Sequence, residues 1–359
     1  MTNNPAYRAL AQRLDALPNG YPATESGVEL RILERLFTVE EAELACQLRL
    51  TLETPDELAA RLGLEPRPLM SALIGMAKRG LIKAARIPRG WGFGLLPFVV
   101  GIYEMQNPVL DSDFARLFEE YYRQAYAPVM LAAPSVHRVI PVDKAVRVDM
   151  EIHPYESAST IVEANQAWAV VDCICRKQKA LVGDPCDHPV DVCLSLSAMP
   201  GAFDKSGAMK ALTKDEAHAV LRRSAEAGLV HTVSNNQEGL TYICNCCACS
   251  CGILRGIAEF KMANAVARSA FVNQIDAGLC QGCGLCEDAC QFDALQVADT
   301  AIVNAFRCVG CGVCMLACPE GALALVRRPE AEVLPPPITE DDWRRERAAS
   351  RGIDIDAVL

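Results

Sequence analysis

Cysteine spacing constrains this chain more than any other feature. The run Cys280-x2-Cys283-x2-Cys286-x3-Cys290 is followed by Cys308-x2-Cys311-x2-Cys314-x3-Cys318-Pro319, the same spacing twice. A second group lies upstream: Cys173, Cys175, Cys186, Cys193, Cys244, Cys246, Cys247, Cys249 and Cys251. Of the 18 cysteines only Cys46 precedes residue 173. Secreted disulfide scaffolds are short and spread their cysteines throughout, whereas clustered thiols in a chain of 359 residues point to metal. The start, Met1-Thr2-Asn3-Asn4-Pro5, lacks the basic and apolar regions of a signal peptide. The uncharged stretch from Gly90 to Tyr103 is too short to cross a bilayer. The expectation is a cytoplasmic protein with no membrane insertion, whose thiols hold metal.

Within each run, three closely spaced thiolates suit one face of a 4Fe–4S cube. Gly282, Gly284, Gly310 and Gly312 permit a tight backbone whose N–H groups reach sulfide. Zinc ribbons favour paired C-x2-C knuckles instead. The duplicated run resembles the bacterial two-cluster ferredoxins. In that family the first three cysteines of one run and the last of the other bind each cube. The resemblance therefore implies one 4Fe–4S cluster at Cys280, Cys283, Cys286 and Cys318, and another at Cys308, Cys311, Cys314 and Cys290. Gln291 stands where that family usually has proline in the first run, a departure that concerns chain geometry more than ligation. Ala294–Val303 reads as a small hairpin around Asp299-Thr300, with Ala322–Val326 as its counterpart.

The upstream nine are delivered differently. The apolar, strand-like run Ala167–Val171 leads into Cys173-Ile174-Cys175-Arg176, followed by Cys186-Asp187-His188-Pro189 and Cys193. Tyr242 through Gly252 then carries the remaining five. The adjacent Cys246 and Cys247 diverge in extended structure, which favours two sites, or one site with spare cysteines. One or two further 4Fe–4S clusters are expected here. For two, the simplest count assigns Cys173, Cys175, Cys186 and Cys193 to one and the later run to the other. Mixed ligation is equally permitted, and structural zinc also accepts four thiolates. His188 and His231 are read as hydrogen-bonding residues beside the site. Arg176 and Lys177 either neutralise cluster charge or form a solvated face. The motifs C-x-C-R, C-D-H-P and C-N-C-C-x-C, with the helix ending at Ala225–His231, resemble a family of uncharacterised anaerobic iron–sulfur proteins. Members join this middle motif to a C-terminal two-cluster ferredoxin, and the likeness spans about residues 140–320. Ser250 stands where that family often has a further cysteine, so it is not expected to be an essential ligand.

The first hundred residues carry no such chemistry. Val28–Phe37 is amphipathic, and Thr54-Pro55-Asp56-Glu57 opens a helix that Gly63 closes. A second helix follows at Arg67–Arg79, and Lys83–Phe98, with Gly90, Gly92 and Gly94, suits a two-stranded wing. This succession resembles the winged helix-turn-helix domains of bacterial regulators over roughly residues 28–98. Arg67, Lys78, Arg79, Lys83, Arg86 and Arg89 would meet phosphates in such a regulator. The acidic balance of the chain, 35 Lys+Arg against 45 Asp+Glu, and an apolar second helix (Leu69, Met70, Leu73, Ile74, Met76) favour docking or dimerisation. Cys46 is read as core, and so is the stripe Phe114, Leu117, Phe118, Tyr121 and Tyr122, with a partner surface as the sharper alternative.

The predicted architecture is α+β: a winged-helix-like domain with a helical extension (1–130), a cysteine-rich α/β iron–sulfur domain (131–270) and a two-cluster ferredoxin-like domain (271–328). A Pro-rich connector and tail (329–359) follow, and the prolines of 131–160 read as a linker. Gly90-Trp91-Gly92-Phe93-Gly94 lacks the strand–helix context of a phosphate loop, and no nucleotide or flavin motif stands out. The leading expectation is a multi-cluster electron-transfer protein or subunit of an oxidoreductase complex, relaying electrons between redox partner proteins. Two alternatives are a redox- or oxygen-sensing regulator that binds DNA, and a reductase subunit with a catalytic cluster. A homodimer is compatible with each.

Overall fold

Local punctuation sets the N-terminal elements. The computed structural model describes residues 4–126, 129–146, 150–262 and 265–359, and the chain divides into two compact units, residues 1–132 with 344–359, and residues 133–343. In the first unit, helices α1 (Pro5–Asp15), α2 (Val28–Leu36) and α3 (Val39–Cys46) precede α4 (Pro55–Leu62) and α5 (Pro66–Lys78). Thr54 and Glu57 form a reciprocal capping box at the start of α4, Pro55 supplies its pre-set φ, and Gly63 ends the helix at φ 66°. Strands β1 (Ile82–Ile87) and β2 (Gly90–Leu95) then pair antiparallel, from Ile82 opposite Leu95 to Ile87 opposite Gly90. Cys46 ends α3 half-buried.

The aromatic stripe is core. Phe114, Phe118 and Tyr121 of α6 (Ser112–Tyr121) are buried, with Tyr103 stacked on Phe118 at 3.7 Å and Tyr121 edge-on to Phe98 at 5.9 Å. The C-terminal segment, expected as a separate tail, belongs to this unit from Arg344 onward. Its Arg347 is fully buried and donates to the carbonyls of Pro18 at 2.9 Å and Val129 at 2.8 Å. A guanidinium carries five donors, and these backbone carbonyls are acceptors that let it be buried.

The second unit is built on a six-stranded antiparallel sheet. Its strands are β3 (His137–Val139), β4 (Ala167–Val171), β5 (Cys193–Ser197), β6 (Lys210–Leu212), β7 (Val230–Ser234) and β8 (Tyr242–Cys246), in the spatial order β3-β7-β8-β5-β4-β6. Residues 131–160, expected as a linker, thus supply an edge strand, and Ile140 joins the core. Helices α7 (Ala158–Glu163), α8 (Ile174–Leu181) and α9 (Lys214–Glu226) belong to this region. Ile161 and Val162 of α7 and Val220 and Leu221 of α9 pack with Leu194, Leu196, Val233 and Ile243 of the sheet. The sheet has to bury one apolar face, and these two amphipathic helices cover it.

The same unit contains the duplicated loops. Strands β9 (Phe271–Ile275) and β12 (Leu323–Arg327) pair antiparallel, as do β10 (Leu295–Val297) and β11 (Ala301–Val303). The expected hairpin at Ala294–Val303 is present. Ala322–Val326, expected as its counterpart, instead pairs with Phe271–Ile275, which lies almost fifty residues earlier and closes the two loops into one lobe. Short helices α10 (Leu285–Asp288) and α11 (Val313–Leu316) each contain the third cysteine of their run, Cys286 and Cys314, and the fourth, Cys290 or Cys318, follows just beyond. Gly310 adopts φ 71°, and a Cβ there would stand 2.2 Å from the Phe271 carbonyl oxygen, so only glycine lets the second loop pass β9.

Candidate metal centres

The lobe formed by the duplicated runs contains two thiol-lined cavities. Cys280, Cys283, Cys286 and Cys318 line one, together with Gly282, Ala301 and Leu323. Cys290, Cys308, Cys311 and Cys314 line the other, with Asn273, Val313 and Leu325. In each, the last cysteine of one run stands with the first three of the other. Backbone amides already point at the sulfurs: Ala301 N–H at Cys280 Sγ (3.3 Å), Ala294 N–H at Cys290 Sγ (3.4 Å) and Ala322 N–H at Cys318 Sγ (3.4 Å). Asn273, which the sequence pattern gave no reason to single out, donates its amide to Cys314 Sγ at 2.8 Å. The cavities differ in solvent access. Cys283 is exposed, whereas burial pushes the Cys311 thiol up to about 12. Neutral thiols crowded together in this way resist ionisation, and a cationic metal is what makes four thiolates tenable in one place.

The upstream cysteines divide in a way that chain order conceals. Six of them form a closed ring of neighbouring thiols, in the order Cys173, Cys175, Cys251, Cys246, Cys244, Cys193 and back to Cys173. The sheet explains the gathering. Cys193 begins β5 opposite Val171, Cys173 follows the end of β4, and Cys244 and Cys246 share one face of β8 by strand alternation. Cys173, Cys246 and Cys251 are buried and Cys175, Cys193 and Cys244 half-buried, and the six thiols share protons unequally. Hydrogen bonds from Cys175 and Cys193 hold Cys173 well below the ordinary thiol range, and those from Cys244 and Cys251 bring Cys246 to about 6. Contact with Cys173 raises Cys175 and Cys193, and contact with Cys193 raises Cys244. Six neighbouring thiols, three of them buried, are a donor set suited to a cation.

The other three, Cys186, Cys247 and Cys249, meet at His188, where the four ligand atoms all lie within 4.8 Å of one another. The simplest count by chain order, with Cys186 beside Cys173, Cys175 and Cys193, is therefore not the arrangement found. His188, expected as a hydrogen-bonding neighbour, stands among the thiols, its Nδ1 3.7 Å from Cys249 Sγ. His231 does behave as a hydrogen-bonding residue: it is buried and its Nδ1 lies 2.5 Å from Asn245 Oδ1. The adjacent Cys246 and Cys247 go to different groups.

Two cations flank these groups unequally. Arg176 is buried, donates to the carbonyls of Asn245 (2.7 Å) and Pro189 (2.9 Å), and stays charged because Cys173 and Cys247 outweigh the cost of its burial. Lys177 turns to Asp172 at 3.8 Å with a third of its side chain exposed. Gln291 carries a role that its sequence position did not reveal. Its side-chain oxygen accepts the Ala248 N–H at 2.6 Å, and its amide donates to the Gly228 carbonyl at 2.5 Å. Cys290 is thereby joined through one residue to the loop that holds Cys247 and Cys249, a connection proline could not make.

Two stretches, residues 273–296 and 301–324, match the family model of the 4Fe-4S binding domain. No curated protein matches the chain, and neither does any solved structure. The matched stretches run from β9 to β10 and from β11 to β12, so each contains one complete cysteine run. They define a ferredoxin-like C-terminal lobe and make the chain, in general terms, an iron–sulfur protein of the electron-transfer kind. Among the described residues, no helix is long and apolar enough to cross a membrane.

Proposed function

We propose that this chain is a multi-cluster electron-transfer protein or subunit that passes electrons between partner redox proteins. It would hold two 4Fe–4S clusters in the ferredoxin-like lobe and a third at the six-thiol ring. The clusters would supply reversible one-electron transfer, and the chain's own residues set their spacing, solvent access and charge. The observation that carries the reading is that two four-thiol cavities lie inside matched cluster-binding motifs and share a compact unit with the ring. Cys283 is the natural exit to a partner. It is exposed, and Leu279 and Leu285 beside it are exposed apolar residues suited to a transient docking surface.

The first unit is read as a winged-helix module used for docking to protein. Helix α5 leaves Met70 and Ile74 exposed, while Arg79 just after it and Arg89 in the β1–β2 turn are engaged by Glu41 and Glu57. Those contacts leave less free positive charge for phosphates than the sequence alone implies.

The test is iron and acid-labile sulfide per chain on anaerobically purified protein, with electron paramagnetic resonance through a reductive titration. About twelve irons per chain and three reducible signals are expected. Eight irons, all in the ferredoxin-like lobe, would overturn the third cluster. High-affinity, salt-sensitive binding of duplex DNA would overturn the docking role of the first unit.

A further inference from the structure

We propose that Cys186, His188, Cys247 and Cys249 bind a single zinc ion, separate from any iron–sulfur cluster. Distance is the first argument. In a tetrahedron the ligand–ligand edge is about 1.6 times the metal–ligand bond, so Zn–S bonds of about 2.3 Å put sulfurs about 3.8 Å apart. Cys186 Sγ and Cys247 Sγ are 3.9 Å apart, Cys249 Sγ and His188 Nδ1 are 3.7 Å apart, and the whole set falls within 4.8 Å. A cube spreads its thiolates, because each binds a different iron at a different corner and points away from the centre. Among the described residues, none of the eight ferredoxin-type cysteines belongs to such a tight group.

Donor chemistry is the second argument. Three thiolates and an imidazole form a closed structural zinc set, and nitrogen and sulfur donors favour zinc over ferrous iron. Three thiolates around a divalent ion leave one net negative charge, and the buried Arg176 guanidinium lies against Cys247 to meet it. The Ser250 hydroxyl, 3.4 Å from Cys186 Sγ and 3.9 Å from Cys249 Sγ, is placed to hydrogen-bond the thiolates that the ion would create.

Chain geometry supplies a purpose. The ligands come as two pairs, Cys186-Asp187-His188 and Cys247-Ala248-Cys249, from loops far apart in sequence. Cys246 and Cys251 of the ring flank the second pair, and Ala248 at its middle is held by Gln291. An ion here fixes the loop that delivers two ring thiols and faces Cys290, so it positions ligands without changing oxidation state.

The test is metal analysis and zinc-edge X-ray absorption on the full-length protein purified anaerobically. About one zinc per chain is expected, with three sulfur neighbours near 2.3 Å and one nitrogen near 2.0 Å. Cys249→Ala should lose the zinc and keep its iron and sulfide. His188→Cys provides an independent reading that does not depend on how Cys249→Ala folds: it should retain about one zinc and shift the shell to four sulfurs. Absence of zinc from the native protein, a lone iron in its place, or loss of about four irons with their sulfide from Cys249→Ala would overturn the assignment.

Discussion

The ferredoxin-like lobe and the sheet domain both gather thiols around space for metal, and they do it by opposite routes. Each ferredoxin-type cavity draws three thiols from one short loop and a fourth from the other run, so four donors serve one cavity with none to spare. The six-thiol ring draws Cys173 and Cys175 from the β4–α8 junction, Cys193 from β5, Cys244 and Cys246 from β8, and Cys251 from the loop beyond. Its donors are assembled by strand register, and they outnumber what one cube needs. Loop spacing is a local instruction that survives being read as text. Register between strands fifty residues apart is not.

The largest effect should come from testing redundancy. Cys318→Ser or Cys290→Ser removes one of only four donors, and each variant should lose about four irons per chain, a different signal disappearing in each. Cys244→Ser removes one of six donors and should keep its iron, with a shifted signal only. Iron content and electron paramagnetic resonance decide it. Equal iron loss in all three variants would abolish the distinction between the two kinds of site.

Gly310→Ala tests the lobe's geometry. The left-handed φ of 71° and a Cβ only 2.2 Å from the Phe271 carbonyl oxygen force the second loop away from β9. A loss of at least about 2 kcal/mol is expected, read as a lower denaturation midpoint and faster cluster loss. Gly284→Ala meets nothing within 4 Å but shares a positive φ of 84°, so it should cost less.

Legibility followed the same division. The Thr54 capping box, Pro55 and Gly63 act within a single helix, and their effect is plain in the chain order. So are the duplicated runs, because three of each cavity's four donors are near neighbours in sequence. The pairing of Leu323–Arg327 with Phe271–Ile275 was not legible, since a short apolar strand carries no label for its partner. His188 was hidden for a related reason: Cys-x-His becomes half of a site only when the Cys247 loop folds onto it. Arg347 and the Arg344–Leu359 segment were read as tail because charge is usually a sign of exposure, yet carbonyl acceptors in the first unit allow the guanidinium to be buried.

Arg176 and Lys177 sharpen the electrostatic side of the comparison. Arg176→Gln removes a buried positive charge beside ring thiols, which favours the more oxidised, less negative state. The ring-associated potential should fall by on the order of 50 mV, the scale of about 1 kcal/mol for a one-electron couple. Arg176→Lys should restore most of it, and Lys177→Gln, already turned to Asp172 in solvent, should change little. Potentiometric titration measures all three. Equal shifts from Arg176→Gln and Lys177→Gln would show that burial does not distinguish the two cations.

The smallest effect on the clusters themselves is expected at Gln291, where this chain departs from the proline of two-cluster ferredoxins. The proline ring can shape the turn after Cys290, but it can neither accept the Ala248 N–H nor donate to Gly228. Gln291→Pro should therefore leave the iron content of the lobe intact, because no ligand is lost. It should cost about 1–2 kcal/mol through two buried-edge hydrogen bonds left unmade. Its specific mark should be hydrogen exchange at Ala248 and its neighbours, accelerated without comparable change at β10 and β11. Loss of iron from the cavity of Cys290, Cys308, Cys311 and Cys314 would mean instead that Gln291 shapes the ligand turn itself, and the link between lobe and sheet would be incidental.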